Sequence, residues 1–335
     1  MNILLTSAGR RTYMVEYFKT ALNGTGFVHA SNSILTYTLK QADKYVITPN
    51  IYDDNYIDFL LAYCKENNIS VIISLFDIDL PVLAKNKELF KQNGITVIVS
   101  DYEVTQICND KWATYNFITS LGLTQPKTFL NINQAKAALS SGEIHYPVII
   151  KPRWGMASIG IYKIETDEEL DVMYKKLHRE IFNTYLKYES AIDESTCILI
   201  QESINGQEYG IEVLNDLEGN YVTTLAKKKI AMRAGETDIA EIIDPKDFSP
   251  IGKLISNNLH HIGNLDIDIF VTPEGKKIVL EMNCRFGGQY PFSHLAGANF
   301  PKQLIEWLEG KPTIKSNITT QPIFACKELH PVIIS

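Results

Sequence analysis

Near its end the chain reads "KKIVLEMNCRFGG", residues 276 to 288, with polar side chains at every second position from Glu281. Side chains of a β-strand alternate between faces, so Glu281, Asn283 and Arg285 share one face, opposite Ile278, Leu280, Met282 and Cys284. Upstream, PEGK at residues 273–276 reads as a hairpin turn. Counting outward from it pairs Thr272 with Lys277, Phe270 with Val279 and Asp268 with Glu281. Carboxylates placed directly opposite repel, and a hairpin with a purely structural role gains more from opposite charges. A divalent cation resolves the conflict. Asp268, Glu281 and the neutral oxygen of Asn283 form a hard-oxygen set that suits Mg²⁺ bound together with substrate phosphates. The alternative, two strand acids in water, fits poorly with the apolar "LDIDIF" and "IVLEMN" around them.

A second stretch suggests a phosphate site. Lys151 ends the apolar run "PVIIK" just before "PRWGMASIG", where Gly155 and Gly160 permit a loop with free backbone N–H groups. A strand-end lysine that is merely solvated is the plainer alternative. In "ILIQESINGQEYGIEVL" two strands flank a break at residues 203–206. Its exposed backbone groups could read an adenine edge, and Glu208 could hold ribose hydroxyls; an ordinary turn beside a surface acid is the other reading. Neither a Walker A motif nor GxGxxG is present.

These residues need elements to position them. The first hundred residues alternate short apolar runs ("NILLT", "FVHAS", "KYVIT", "SVIISL", "ITVIVS") with amphipathic helical segments, the pattern of βαβ units and a parallel sheet. Ligands on such sheets bind beyond the carboxyl ends of the strands. Those ends carry Ser7, Arg10 and Arg11 after the first run and Asp77 and Asp79 after "SVIIS". As a group they suggest a substrate crevice. Taken singly, Ser7 and Asp79 could equally cap helices, and the arginines could be solvated. The second half is α+β, with strands joined by hairpins and an antiparallel sheet expected.

Composition limits the partners. With 335 residues and 45% hydrophobic content, the chain has material for two or three packed lobes. A formal charge of -7 argues against nucleic acid, and no segment approaches a membrane span. Five scattered cysteines, without a CxxC pair or zinc-ligand spacing, suit a reducing compartment. The opening "MNILLTSAGRR" puts its arginines after its apolar run, the reverse of a signal peptide, so a cytoplasmic location is expected. Seven scattered histidines suggest no catalytic constellation.

The order of these motifs is more specific than any one of them. Asp110-Lys111, "IIKP" with its glycine turn, "QESINGQEYGIEVL", a basic strand ending "MRAGET", and "DIDIF…VLEMNCRFGG" together resemble the ATP-grasp superfamily. With the opening "ILLTSAGRR", the chain looks most like single-module proteins related to the carbamoyl-phosphate synthase large subunit, from residue 2 to about residue 310. The resemblance implies a Rossmann-like parallel-sheet domain at 1–109. A two-lobed ATP-grasp fold would follow at 110–203 and 204–335. It further implies that Asp268, Glu281 and Asn283 hold Mg²⁺ or Mn²⁺ and that Lys111 and Lys151 bind ATP phosphates. Glu202 and Ile204 would contact adenine, and Glu208 would hold the ribose. Arg285 would lie over the transferred group, with Arg233 near the γ-phosphate or substrate. Trp154, Met156 and Ala157 around Gly155 and Ser158 depart from the small residues usual in that turn. The implied activity is ATP-dependent ligation of a small carboxylate to an amine, with an amino acid suited to the Arg10, Arg11, Asp77 and Asp79 set. Activation of bicarbonate or carbamate and a non-catalytic ATP-binding module are the competing readings. The resemblance, and no particular residue, implies a homodimer.

Overall fold

A computed structural model describes residues 1–156 and 159–334. The five apolar runs of the N-terminal part form strands β1 (Asn2–Thr6), β2 (Val28–Asn32), β3 (Lys44–Ile47), β4 (Ile69–Ser74) and β5 (Thr96–Ile98). They make one parallel sheet in the order β3-β2-β1-β4-β5. The chain runs outward from β1 through β2 to β3 and then crosses back to β4 on the other side of β1, so a crevice opens at the carboxyl ends of β1 and β4. Helix Thr12–Leu22 covers the sheet with Met14, Val15, Phe18 and Leu22, one apolar stripe of helical period.

Helices Tyr102–Asn109 and Lys111–Ser120 meet at Asp110, whose carboxylate accepts a hydrogen bond from the Trp112 N–H and caps the second. A small antiparallel sheet follows, built from β6 (Thr128–Phe129), β7 (Val148–Pro152), β8 (Tyr162–Ile164) and β9 (Ile198–Glu202) in the order β6-β9-β7-β8. Helix Asp167–Phe182 packs Leu170, Leu177 and Ile181 into this lobe.

The rest is a six-stranded antiparallel sheet of β10 (Gln207–Asn215), β11 (Tyr221–Arg233), β12 (Glu236–Ile243), β13 (Gly263–Val271), β14 (Lys277–Asn283) and β15 (Phe324–Cys326). Its order is β14-β13-β10-β11-β12-β15. Core residues of this sheet, such as Ile211 and Ile267, belong to the same buried cluster as Leu4 and Ile72 of the parallel sheet, so the two layers share a core.

The β13–β14 hairpin departs from the count made on its turn. Val271 pairs with Lys277 and Phe270 with Ile278, one residue off, because the Thr272 N–H donates to the Lys276 carbonyl at 3.0 Å and closes the turn one residue tighter than the count. Leu280 then forms a β-bulge that restores the phase, leaving Asp268 opposite Glu281 and Asp266 opposite Asn283. The C-terminal strand β15, which carries no sequence motif, adds to the sheet edge by pairing Ile239 with Cys326 and Glu241 with Phe324. Among the described residues no helix is long and apolar enough to cross a membrane.

Candidate active site

The three sheets converge on a cleft that is open to solvent. Arg11 and Asp77 enter it from the carboxyl ends of β1 and β4, and Lys111, Lys151 and Gly155 from the small lobe. Lys229, Asp266 and Asp268 project from the large sheet, together with Glu281, Asn283 and Arg285. The bulge at Leu280 is what keeps Glu281 and Asn283 on the face occupied by Asp268 and Asp266.

Ion pairs order this cleft. The ammonium of Lys229 lies 2.6 Å from Asp268 Oδ1 and 2.6 Å from Glu208 Oε1. Arg285 reaches Asp77 at 2.9 Å and Asp266 at 3.3 Å, tying the end of β14 to the loop after β4. Gln289 donates to Asp266 and, at 3.3 Å, to Asp268. It fits because Gly210 has no side chain: a Cβ there would stand 1.5 Å from the Gln289 amide oxygen. At the glycine turn, Arg153 grips Asp110 through two hydrogen bonds of 2.8 and 2.6 Å, and Lys111 donates to the Gly155 carbonyl.

The charges perturb one another strongly. Burial pushes Asp268 up to about 6, with Lys229 opposing and Asp266 and Glu281 adding to the rise. Burial would also raise Glu281, yet Lys111, Lys151, Lys229 and Arg285 together hold it below the ordinary carboxylate range. Lys151, only 4% exposed, is pushed down to about 8 by desolvation against the pull of Glu281. Lys229 is driven upward: Asp268 and Glu208 overcome the effect of its burial.

Three buried polar atoms among the lining residues lack a hydrogen-bond partner: Arg11 Nη1, Arg285 Nε and Gln289 Oε1. Two are guanidinium donors, and buried donors of this kind require an acceptor, which an anionic ligand would supply. Asp268, Glu281 and Asn283 offer two carboxylates and an amide oxygen on one wall, a donor chemistry that fits a hard divalent cation. Among the described residues no cluster of three His, Cys, Asp or Glu side chains forms a metal cage.

The remaining sequence candidates are distributed unevenly. Ser7 and Arg10 line a second, adjoining cleft, where they are joined by Arg11, which borders both. Arg233 also lies in that second cleft, pairs with Asp238 at 2.9 Å and stands away from the Asp268–Glu281 wall. Asp77 is engaged by Arg285. Asp79 corrects the expectation of a substrate ligand. It is fully buried, borders neither cleft, and accepts hydrogen bonds from Thr6, Ser7, Tyr56 and Ser74, which lock the ends of β1 and β4 together. Glu202 precedes a break at residues 203–206, Ile204 lies within it, and neither residue borders either cleft; Glu202 instead accepts a bond from the Lys127 N–H. Ser158 lies outside the described residues. Lys229, Asp266 and Gln289 escaped sequence reasoning. Strand alternation carried a signal for two of them, since Asp266 is two residues from Asp268 and Lys229 alternates with the half-exposed Lys228.

Comparison with known proteins places this architecture. A PylC-like N-terminal domain model matches residues 3–98, and an ATP-grasp domain model matches residues 144–291. The arginine-specific large chain of carbamoyl phosphate synthase from Bacillus subtilis (strain 168) is 22% identical over 243 residues, 70% of this chain. The chain spans only 22% of that relative's length. Among solved structures, a biotin carboxylase complex with β,γ-ATP from Campylobacter jejuni superposes with a TM-score of 0.74 at 17% identity, over 95% of this chain and 73% of the other. An L-amino acid ligase from Bacillus licheniformis gives 0.70 at 18% identity, over 91% and 74%. At such identities the structural matches establish the fold alone.

Proposed function

The chain carries an ATP-grasp domain behind a PylC-like N-terminal domain, and from that premise we propose that it is an ATP-dependent carboxylate–amine ligase. In this reading the γ-phosphate of ATP passes to a small carboxylate, and an amine then displaces phosphate from the acyl phosphate to form a C–N bond, leaving ADP. One observation carries the reading: a single cleft gathers a hard-oxygen wall and a cationic wall with two guanidinium nitrogens unpartnered.

The chain's own residues divide the work by position. Lys151 and Lys111, with the backbone at Gly155, would cradle the phosphates. The break after Glu202, at Ile204, would meet the base, and Glu208 the ribose, with Lys229 giving up one of its two carboxylates. Asp268, Glu281 and Asn283 would hold Mg²⁺ or Mn²⁺, which when bound neutralises phosphate charge. Arg285, fixed by Asp77 and Asp266, would face the transferred group, its geometry set before reaction. Arg233, Arg10 and Arg11 would receive the substrate from the adjoining cleft. Phosphoryl transfer needs little covalent help, so positioning and charge compensation suffice. Activation of bicarbonate or carbamate is the second reading, favoured by the similarity to carbamoyl phosphate synthase.

The test is release of ADP and phosphate from Mg-ATP in the presence of small carboxylates and amino acids, singly and in pairs. Release that requires a substrate pair and is lost in Glu281→Gln supports the ligase. Release with bicarbonate alone favours the second reading, and nucleotide binding without release for any pair overturns both.

A further inference from the structure

The adjoining cleft is assembled from parts of the chain that lie far apart in sequence. Its walls are the loop at residues 7–11, the β11–β12 hairpin, and residues 326–329 at the end of β15. The last segment is held firmly in place. The Lys327 N–H donates to the Asp238 carbonyl at 2.8 Å, and its ammonium sits 2.9 Å from Glu236.

The charges in this cleft do not balance. Arg10, Arg11, Arg233 and Lys327 face Glu236, Asp238 and Glu328, four cations against three anions. Asp238 is taken by Arg233 and Glu236 by Lys327. That leaves Arg11, whose buried Nη1 is unpartnered, and the solvent-exposed Arg10 and Glu328, none of which forms an ion pair among the described residues, with both arginines also in the field of Glu236. Two cations and one anion without internal partners match a ligand bearing a carboxylate and an ammonium.

The remaining lining is apolar. Leu75, Phe76, Pro291 and Phe292 contribute apolar surface to the wall, together with Leu295 and Leu329. The last two are 63% and 64% exposed. A single exposed leucine is unremarkable, but two lining one charged cleft offer a place for an apolar group.

We propose that the C-terminal segment 326–329 is a specificity element, and that the adjoining cleft takes an α-amino acid with a large apolar side chain. The amino acid's carboxylate meets Arg10 and Arg11, its ammonium faces Glu328, and its side chain covers Leu295 and Leu329. Arg11 borders both clefts, so the reacting end of such a ligand lies toward the Asp268–Glu281 wall. This inference rests on the ligase reading and deepens it by naming the substrate class.

Calorimetric titration of the full chain, saturated with Mg-ADP, against L-leucine, L-phenylalanine, L-alanine and L-glutamate tests it. Leucine or phenylalanine is expected to bind at least about tenfold more tightly than alanine or glutamate. Leu295→Glu and Leu329→Glu, both at exposed positions, are expected to erase that preference and leave Mg-ADP affinity unchanged, which also reports that they fold. Equal or tighter binding of alanine or glutamate overturns the inference. So does a preference unaltered in both variants, or no amino acid binding while Mg-ADP binds. Absence of Mg-ADP binding in the unmodified chain strikes the ligase reading itself, which keeps the two failures apart.

Discussion

Asp268 and Lys229 are 2.6 Å apart, and the same ammonium also holds Glu208, so one lysine neutralises two carboxylates of the candidate nucleotide site beside a third, Glu281. Removing that charge leaves buried acids facing one another. Lys229→Met is expected to lose about 3 kcal/mol of stability, the usual cost of orphaning a buried ion-pair partner. If the wall takes a divalent cation, millimolar Mg²⁺ should raise the melting temperature of this variant more than that of the parent. An identical Mg²⁺ response in the two proteins would count against Asp268 and Glu281 as metal donors.

The two sheets and the acid pair were legible because both rest on periodicity. Alternating apolar runs specify a parallel sheet whatever its loops do, and the β13–β14 strands announce one polar face. The register was less secure: the turn is one residue tighter than counted, and only the Leu280 bulge brings Asp268 back opposite Glu281. Asp77 and Asp79 look alike in sequence, yet one meets a guanidinium in the cleft and the other sits in a cage of hydroxyls. The difference depends on where the helix Asp79–Lys85 begins, which no local pattern fixes. Strand β15 was illegible because three residues without a motif gain their meaning only from the edge of β12.

Gly287 has a role that its neighbours make testable. A Cβ at this position would stand 2.0 Å from Asp266 Oδ2, so alanine must push Asp266 from its place between Arg285 and Gln289. Arg285 would then depend on Asp77 alone. Gly287→Ala is expected to cost about 3 kcal/mol in urea unfolding and to lower ADP release by about 100-fold. An unchanged urea midpoint would show that Asp266 can move without consequence.

Behind the cleft, Lys227 and Glu212 form an ion pair at 2.7 Å in which neither side chain is exposed at all. Glu212 also accepts from Ser293, and Lys227 donates to the Gln289 carbonyl at 3.2 Å, so the pair supports the start of helix Tyr290–Leu295, which Gln289 precedes. Lys227→Met alone strands a buried carboxylate and should destabilise by about 3–5 kcal/mol. Lys227→Met with Glu212→Leu removes both charges and should recover most of that loss. A double variant no more stable than the single one would mean that the pair is required for more than mutual neutralisation.

His261 gives the fold a defined response to acid. Its Nε2 lies 3.0 Å from the Val213 carbonyl, which can only accept, so Nε2 carries the proton and the buried, unpartnered Nδ1 is bare. Burial pushes this imidazole from 6.5 down to about 4, with the Val213 bond partly opposing and His260 adding to the fall. The unfolded chain therefore binds a proton that the folded chain refuses between those two values. Stability from this residue is fully present above pH 6.5, declines as the pH falls, and is lost by about pH 4. The whole effect is on the order of 3 kcal/mol. Buried acids such as Asp268, held up at about 6, act in the opposite sense, so the net slope of the unmodified protein mixes the two. His261→Gln, which keeps an N–H donor for Val213 and cannot be protonated in this range, isolates the term. Urea midpoints at pH 7, 5.5 and 4.5 should fall less steeply in the variant, by close to one proton's worth of slope; parallel curves would show that His261 remains neutral in the unfolded chain or protonates without cost in the folded one.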